Sequence, residues 1–121
     1  MAADDINYRR FFAINSLAAL RQESNAVFRS THQFVLRLLR EGKIDGLRID
    51  HPDGLYNPRQ YFERLQSSQS SALYEGSNAK TYYILAEKIL TGDETLAQDW
   101  PIHGTTGYDF ANLVDQLSVW W

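Results

Sequence analysis

The 121-residue chain contains no cysteine, and this absence excludes disulfide frameworks and thiolate metal sites. It also lacks an excess of basic residues: the net charge is −3, which gives no indication of nucleic acid or an anionic membrane as a partner. No apolar run approaches the length of a membrane span, and the first residues do not resemble a signal peptide. We therefore expect a cytoplasmic protein with neither nucleic acid nor a membrane as partner.

The composition is otherwise that of one modest globular domain. Hydrophobic residues make up 44% and charged residues 22% of the chain, and its length is sufficient for a real core. Aromatic residues reach 13%, which suits the stacking of sugar rings as well as it suits core packing. The composition alone therefore leaves the function open.

Helices and strands are predicted to alternate along the first half of the chain. Ser24 or Asn25 caps a helix that runs to about Arg40, where Gly42 ends it. A strand at 44–50 follows after a short loop. This order is typical of an α/β unit.

A second helix followed by a second strand is predicted for the middle of the chain. Asn57 and Pro58 indicate the start of a helix, and the polar stretch 66–73 is predicted to be a flexible Ser/Gln-rich loop. A second strand follows at about 81–86, or as far as Leu90.

The end of the chain is predicted to form one more helix. Residues 104–107 are interpreted as a turn that leads into this helix near Tyr108. Its apolar side chains are expected to face inward, and they are Phe110, Leu113, Val114 and Leu117.

A carboxylate closes each of the two predicted strands. Asp50 ends the first strand and Glu87 the second, and a charge is unusual at the end of a buried apolar strand unless it has a task there. Strand-helix-strand connections make parallel pairs, so both carboxylates should emerge at the same sheet edge. One carboxylate that attacks an anomeric carbon and one acid that protonates the departing oxygen are what glycoside chemistry requires.

Other interpretations of these residues stay open. Asp50 could cap a turn before Pro52, Glu87 could pair with Lys88, and Arg48 could be a structural ion-pair partner. His51, Asp53 and Asp45 match neither an EF-hand nor a two-histidine metal motif, so no metal site is expected.

Four blocks of sequence resemble a known family. Residues 46–55, GLRIDHPDGL, resemble the nucleophile motif of the α-amylase superfamily, in which an arginine lies two residues before the catalytic aspartate. Residues 6–12, 86–90, and 99–100 with 104–110 are similar to one family within it, the (1→4)-α-D-glucan glucosylmutases that form trehalose ends. The blocks occur in order along nearly the whole chain.

This resemblance implies a fold of which the chain would supply only a part. The fold would be α/β, part of a (β/α)₈ TIM barrel, with the chain supplying two adjacent parallel strands, about the fourth and fifth, and their flanking helices. Such a barrel needs about 250 residues. The third carboxylate of the superfamily, in a later His-Asp motif, has no counterpart here. We therefore expect a fragment of a catalytic domain, with no turnover from the 121 residues alone.

The resemblance also implies a reaction on a maltodextrin. Asp50 would be the nucleophile, Glu87 the general acid/base, and Arg48 would orient Asp50 and hold it ionised. The reaction would be an intramolecular transglycosylation that converts the reducing-end α-1,4 linkage into an α,α-1,1 linkage, without a cofactor. Candidate sugar contacts are His51, Lys88, Tyr8, Arg10 and Tyr108.

Two alternative functions remain beside this one. The first is an α-1,4-glucan hydrolase of the same superfamily. The second is a non-catalytic fragment that self-associates through open barrel edges, because unpaired strand edges make a poor independent domain.

Overall fold

The computed structural model describes residues 18–68 and 81–119. Tyr8 and Arg10, and most of the predicted loop at 66–73, lie outside these ranges. The described residues form helices and parallel strands in the order α1 (Asn25–Arg40), β1 (Gly46–Ile49), α2 (Pro58–Ser67), β2 (Tyr83–Ala86), β3 (Gly104–Thr105) and α3 (Tyr108–Ser118). The α/β class is therefore confirmed.

Helix α1 has the predicted bounds, with Ser24 at its N-cap position. At its end Gly42 adopts a φ of +63°, and the Lys43 N–H donates to the carbonyl of Leu38 at 2.9 Å. This left-handed turn explains why a glycine ends the helix. The core side of α1 consists of Phe28, Leu36 and Leu39.

Helix α2 begins as predicted but ends later. The Asn57 side chain accepts a hydrogen bond from the Gln60 N–H at 3.0 Å, as an N-cap residue should. Phe62 and Leu65 are fully buried and join the α1 side chains in one core with Ile84 of β2.

The prediction of a flexible loop from Gln66 is wrong at its start, because α2 continues to Ser67. The Gln66 amide donates to the carbonyls of Tyr82 and Pro101, both at 3.0 Å, and its oxygen accepts from the Tyr82 N–H at 2.8 Å. Gln66, the first residue of this polar stretch, therefore links α2 to Tyr82, just before β2, and to Pro101.

The strands form one parallel sheet in the order β1-β2-β3. Both predicted strands are present, although β2 ends at Ala86 and does not reach Leu90. The residues 104–107 are more than a turn, because Gly104–Thr105 pairs with β2 as a third strand. Only glycine fits at position 46, since an added Cβ there would lie 2.5 Å from the Tyr83 carbonyl oxygen.

Helix α3 begins at Tyr108 as predicted, but its apolar residues do not face inward. Phe110, Leu113, Val114 and Leu117 are all exposed, and no residue of the helix is buried. The physical reason is that the described core lies between α1, α2 and β2, and α3 contributes nothing to it.

Candidate active site

The sheet brings Asp50 and Glu87 to the same edge. Ile49 is the register partner of Ala86, so the next residues of the two strands, Asp50 and Glu87, are neighbours. The pairing extends beyond the strand ends, because the Glu87 N–H donates to the Ile49 carbonyl at 2.7 Å and the Thr106 N–H donates to that of Ala86 at 3.0 Å. The local backbone is therefore held by the ladder where the two carboxylates emerge.

Arg48 contacts both carboxylates through one nitrogen atom. Its Nη2 lies 2.6 Å from Glu87 Oε2 and 3.7 Å from Asp50 Oδ1. The two carboxylates must therefore be close neighbours. Their surroundings differ, because the Glu87 side chain is 19% exposed and the Asp50 side chain 66% exposed.

Tyr108, the first residue of α3, completes the surroundings of Glu87. Its hydroxyl donates to Glu87 Oε1 at 2.8 Å. The sequence indicated Tyr108 only as a sugar contact, and its bond to the predicted acid/base was missed. The signal that could have found it is its position just after a third strand, but that strand was itself interpreted as a turn.

Asp50 and Glu87 shift the pKa of one another in opposite directions. The pKa of Asp50 is raised by its hydrogen bond with Glu87 and by the charge of that group, which together outweigh the lowering effect of Arg48. The pKa of Glu87 is lowered by its hydrogen bonds with Asp50 and Tyr108, and further by Arg48. Because each group is the largest influence on the pKa of the other, the two carboxyl groups titrate as one pair.

Lys88 lies beside the site but is already paired. Its ammonium is 3.2 Å from Asp53 Oδ2 and 2.9 Å from Glu94 Oε1, and its side chain is only 13% exposed. These contacts connect the loop after β1 to the loop after β2. Glu87 pairs with Arg48 rather than with its chain neighbour Lys88, so the ion pair considered in the sequence is not the one that forms.

His51 follows Asp50 in a left-handed conformation, with a φ of 45°. Its Nδ1 lies 3.1 Å from Asp53 Oδ1. An added Cβ at Gly54 would lie 2.7 Å from the His51 ring, so glycine is required there for the ring to take this place. The turn Pro52–Gly54 thus holds His51 near the carboxylates, and its contact with sugar stays a prediction.

Residues 18–68 and 81–119 contain no cluster of three histidine, cysteine or acidic residues that could hold a metal ion. Within the same ranges, no helix combines the length and the apolar character needed to cross a membrane.

Comparisons with known proteins point to one family. A protein of Mycobacterium tuberculosis named as a maltooligosyl trehalose synthase is 48% identical over 112 residues, which are 93% of this chain and 14% of that protein. The solved maltooligosyltrehalose synthase of Arthrobacter ramosus matches at 48% identity with a TM-score of 0.73, covering 88% of this chain and 13% of that chain. Another solved maltooligosyl trehalose synthase matches at 39% identity with a TM-score of 0.72, covering 91% and 13%.

No protein-family model matches the chain. The chain spans only 13–14% of the length of these relatives. Sequence identity and fold nevertheless agree over nearly all of its own residues, which confirms the resemblance noted in the sequence. The chain is therefore a relative of the maltooligosyl trehalose synthases and corresponds to one segment of the proteins of that family.

Proposed function

We propose that this chain carries the nucleophile and the general acid/base of a maltooligosyl trehalose synthase. The reaction is the conversion of the reducing-end α-1,4 linkage of a maltodextrin into an α,α-1,1 linkage by a retaining double displacement. The observation that carries the proposal is the placement of Asp50 and Glu87 as register neighbours that share the Arg48 guanidinium. Retaining enzymes hold their two carboxyl groups about 5–5.5 Å apart, and neighbouring strand ends can supply such a separation.

In the first step the Asp50 carboxylate attacks the anomeric carbon next to the reducing-end glucose. The bond from that carbon to the bridging oxygen breaks, and Glu87 gives its proton to that oxygen. Asp50 must be ionised and Glu87 protonated for this step, so the pair holds one proton when the sugar binds. With a sugar between the two side chains, Arg48 can stabilise the charge on Asp50, whose pKa it lowers.

In the second step the freed glucose turns over within the site. Its anomeric hydroxyl attacks the glycosyl-Asp50 ester, Glu87 accepts the hydroxyl proton, and the Asp50 carboxylate leaves. The net change is an isomerisation, so water must be kept from the intermediate. Neither step uses a cofactor.

The three parallel strands are proposed to belong to a (β/α)₈ barrel, with β1 and β2 at about its fourth and fifth positions. The similarity in fold to solved synthases supports this placement. Barrel enzymes carry their active sites at the carboxyl ends of the strands, where Asp50 and Glu87 lie. Because the chain covers a small part of its relatives, we expect no turnover from the 121 residues alone.

The test is a chimera in which residues of this chain replace the matching segment of the Arthrobacter ramosus enzyme. Incubation with maltopentaose should remove reducing ends and yield a trehalose-ended product. Asp50→Asn and Glu87→Gln should each lower the rate at least about 100-fold. Asp99→Asn is the matched control, because Asp99 pairs with Arg59 on α2, away from the two carboxylates.

Three outcomes of this test would count against the proposal. Release of glucose as the main product would identify a hydrolase instead. A folded chimera, checked by circular dichroism and gel filtration, that lacks activity would contradict the synthase assignment. Retained activity in both variants would show that Asp50 and Glu87 are not the reacting groups.

A further inference from the structure

The two oxygens of Glu87 have different partners, one from each side of the site. Oε2 is buried and lies 2.6 Å from the Arg48 guanidinium, while Oε1 accepts the hydroxyl hydrogen of Tyr108 at 2.8 Å. Asp50 is the third group that faces this carboxylate. Arg48 and Asp50 belong to β1 and its end, whereas Tyr108 comes from α3.

Tyr108 is held in place by the backbone that precedes it. Gly107 has a φ of +90°, which favours glycine, and this residue turns the chain from β3 into α3. Its carbonyl accepts from the Ala111 N–H at 3.0 Å, as the first bond of the helix. Thr106, one residue earlier, is hydrogen-bonded to Ala86 at the end of β2. The phenol is thus fixed relative to the strand end that carries Glu87.

We propose that Tyr108 is a positioning residue for the acid/base Glu87. The inference rests on the proposed function. A hydroxyl that donates to Oε1 fixes the rotation of the carboxylate and leaves it one defined direction towards the sugar. It also stabilises the ionised form, which is the form that Glu87 reaches when it has given its proton to the bridging oxygen.

The mutual effect of the two groups supports this role. The hydrogen bond to Glu87 and the charge of that carboxylate raise the pKa of Tyr108, and the same bond contributes to the lowered pKa of Glu87. Arg48 lowers the pKa of both groups, and Asp50 raises that of Tyr108. Because each group stabilises the other in one protonation state, removal of either should shift the titration of its partner.

The test measures that titration in the full 121-residue chain, without any need for turnover. The Glu87 carboxyl is followed by NMR in a chain labelled with ¹³C-glutamate, and its signal is assigned with Glu87→Gln. Tyr108→Phe should move the Glu87 midpoint upward. Tyr56→Phe is the matched control and should leave the midpoint unchanged, because Tyr56 is 78% exposed and the groups that shift the pKa of Glu87 are Asp50, Tyr108 and Arg48.

A reciprocal measurement keeps the test informative if Tyr108→Phe fails to fold. Glu87→Gln should move the titration midpoint of the Tyr108 phenol downward. This phenol is followed by NMR in a chain labelled with ¹³C-tyrosine, and its signal is assigned through the Tyr108 backbone. An unchanged Glu87 midpoint in a folded Tyr108→Phe chain would overturn the inference. An unchanged Tyr108 midpoint in Glu87→Gln would overturn it equally.

In the active chimera, the pH–rate profile has a limb that reports the titration of Glu87, and Tyr108→Phe should move this limb to higher pH. If Tyr108 had a purely structural role, its substitution would lower the rate without moving the limb. An unmoved limb would overturn the positioning role. Failure of the proposed function has a different signature, because Glu87→Gln would then retain its activity.

Discussion

The Arg48 guanidinium lies 2.6 Å from Glu87, although Arg48 belongs to the strand that ends in Asp50. Its distance to Asp50 is 3.7 Å. The cation therefore serves both carboxylates, and the closer of the two is the predicted acid/base. The sequence predicted that Arg48 orients Asp50 and holds it ionised, and this role stays a prediction. The guanidinium lowers the pKa of Asp50, while the hydrogen bond with Glu87 and the charge of Glu87 raise it.

Arg48→Gln should raise the pKa of both carboxyl groups, because the guanidinium lowers each of them. The measurement is an NMR titration of labelled aspartate and glutamate side chains. The side chains of Arg48 and Asp50 are largely exposed, so the effect should shrink at high salt.

Arg59→Gln is the control for this titration. Arg59 is a similarly exposed arginine that pairs with Glu63 and Asp99 on and near α2. Its removal should leave the Asp50 and Glu87 midpoints in place. Equal midpoints in the chain and in Arg48→Gln would contradict the shared ion pair.

Gly46→Ala should destabilise the protein by about 1–3 kcal/mol, because an inserted methyl in a packed position forces the backbone to shift. The added Cβ would lie 2.5 Å from the Tyr83 carbonyl oxygen, which belongs to the backbone of β2 and cannot rotate away. Urea unfolding followed by circular dichroism measures the change.

Gly42→Asn provides the comparison for this substitution. Gly42 has a φ of +63° with open space around its Cα, and asparagine tolerates this conformation. We expect its stability to stay close to that of the unchanged chain. A Gly46→Ala protein that unfolds at the same urea concentration as Gly42→Asn would contradict the close approach of β1 and β2.

Gln66→Leu should lower the free energy of unfolding by about 1–3 kcal/mol, because it leaves partly buried backbone groups without partners. The amide group satisfies the N–H and carbonyl of Tyr82 and the carbonyl of Pro101. Gln33→Leu, an exposed position on α1, is the matched control and should change stability little. Equal losses in the two variants would show that the Gln66 contacts contribute nothing.

Much of the fold could be predicted because it depends on local chemistry. Asn57 and Pro58 begin α2 through a cap and a fixed dihedral, and Gly42 ends α1 through its left-handed turn. Asp50 and Glu87 could be placed together because helix-linked strands pair in parallel, and each acid closes its strand.

The features of the fold that could not be predicted depend on partners that are distant in the sequence. Gln66 belongs to a stretch of polar residues, and only the backbone of Tyr82 and Pro101 gives it a place in α2. Strand β3 has two small residues, so its pairing with β2 leaves no periodicity to detect. The contact between Tyr108 and Glu87 follows from that strand and was missed with it.

His32 should make stability depend on pH between its own pKa and that of an unfolded histidine. The ring stacks on Phe28 with 4.3 Å between centroids. Its Nδ1 lies 3.0 Å from the Phe28 carbonyl. A carbonyl can only accept, so Nδ1 carries the ring hydrogen and donates it. The other nitrogen of the neutral ring, Nε2, then accepts from the Tyr61 hydroxyl at 2.7 Å. Burial also raises the pKa of Tyr61 to about 12, so that phenol keeps its proton.

Burial lowers the pKa of His32 below its ordinary value of 6.5, so the unfolded chain takes up the proton at a higher pH than the folded chain. The contribution of neutral His32 to stability is therefore fully present above pH 6.5, and it falls as the pH decreases from 6.5 towards the lowered pKa. His32→Gln should remove this part of the decrease. The measurement is the difference in unfolding free energy between the two proteins from pH 5 to 8, in which the titration of other groups cancels. The difference in unfolding free energy must be constant above about pH 7.5, where histidine is neutral in both states. If it also stays constant at every lower pH, then His32 is not desolvated by the packing of Phe28 and Tyr61.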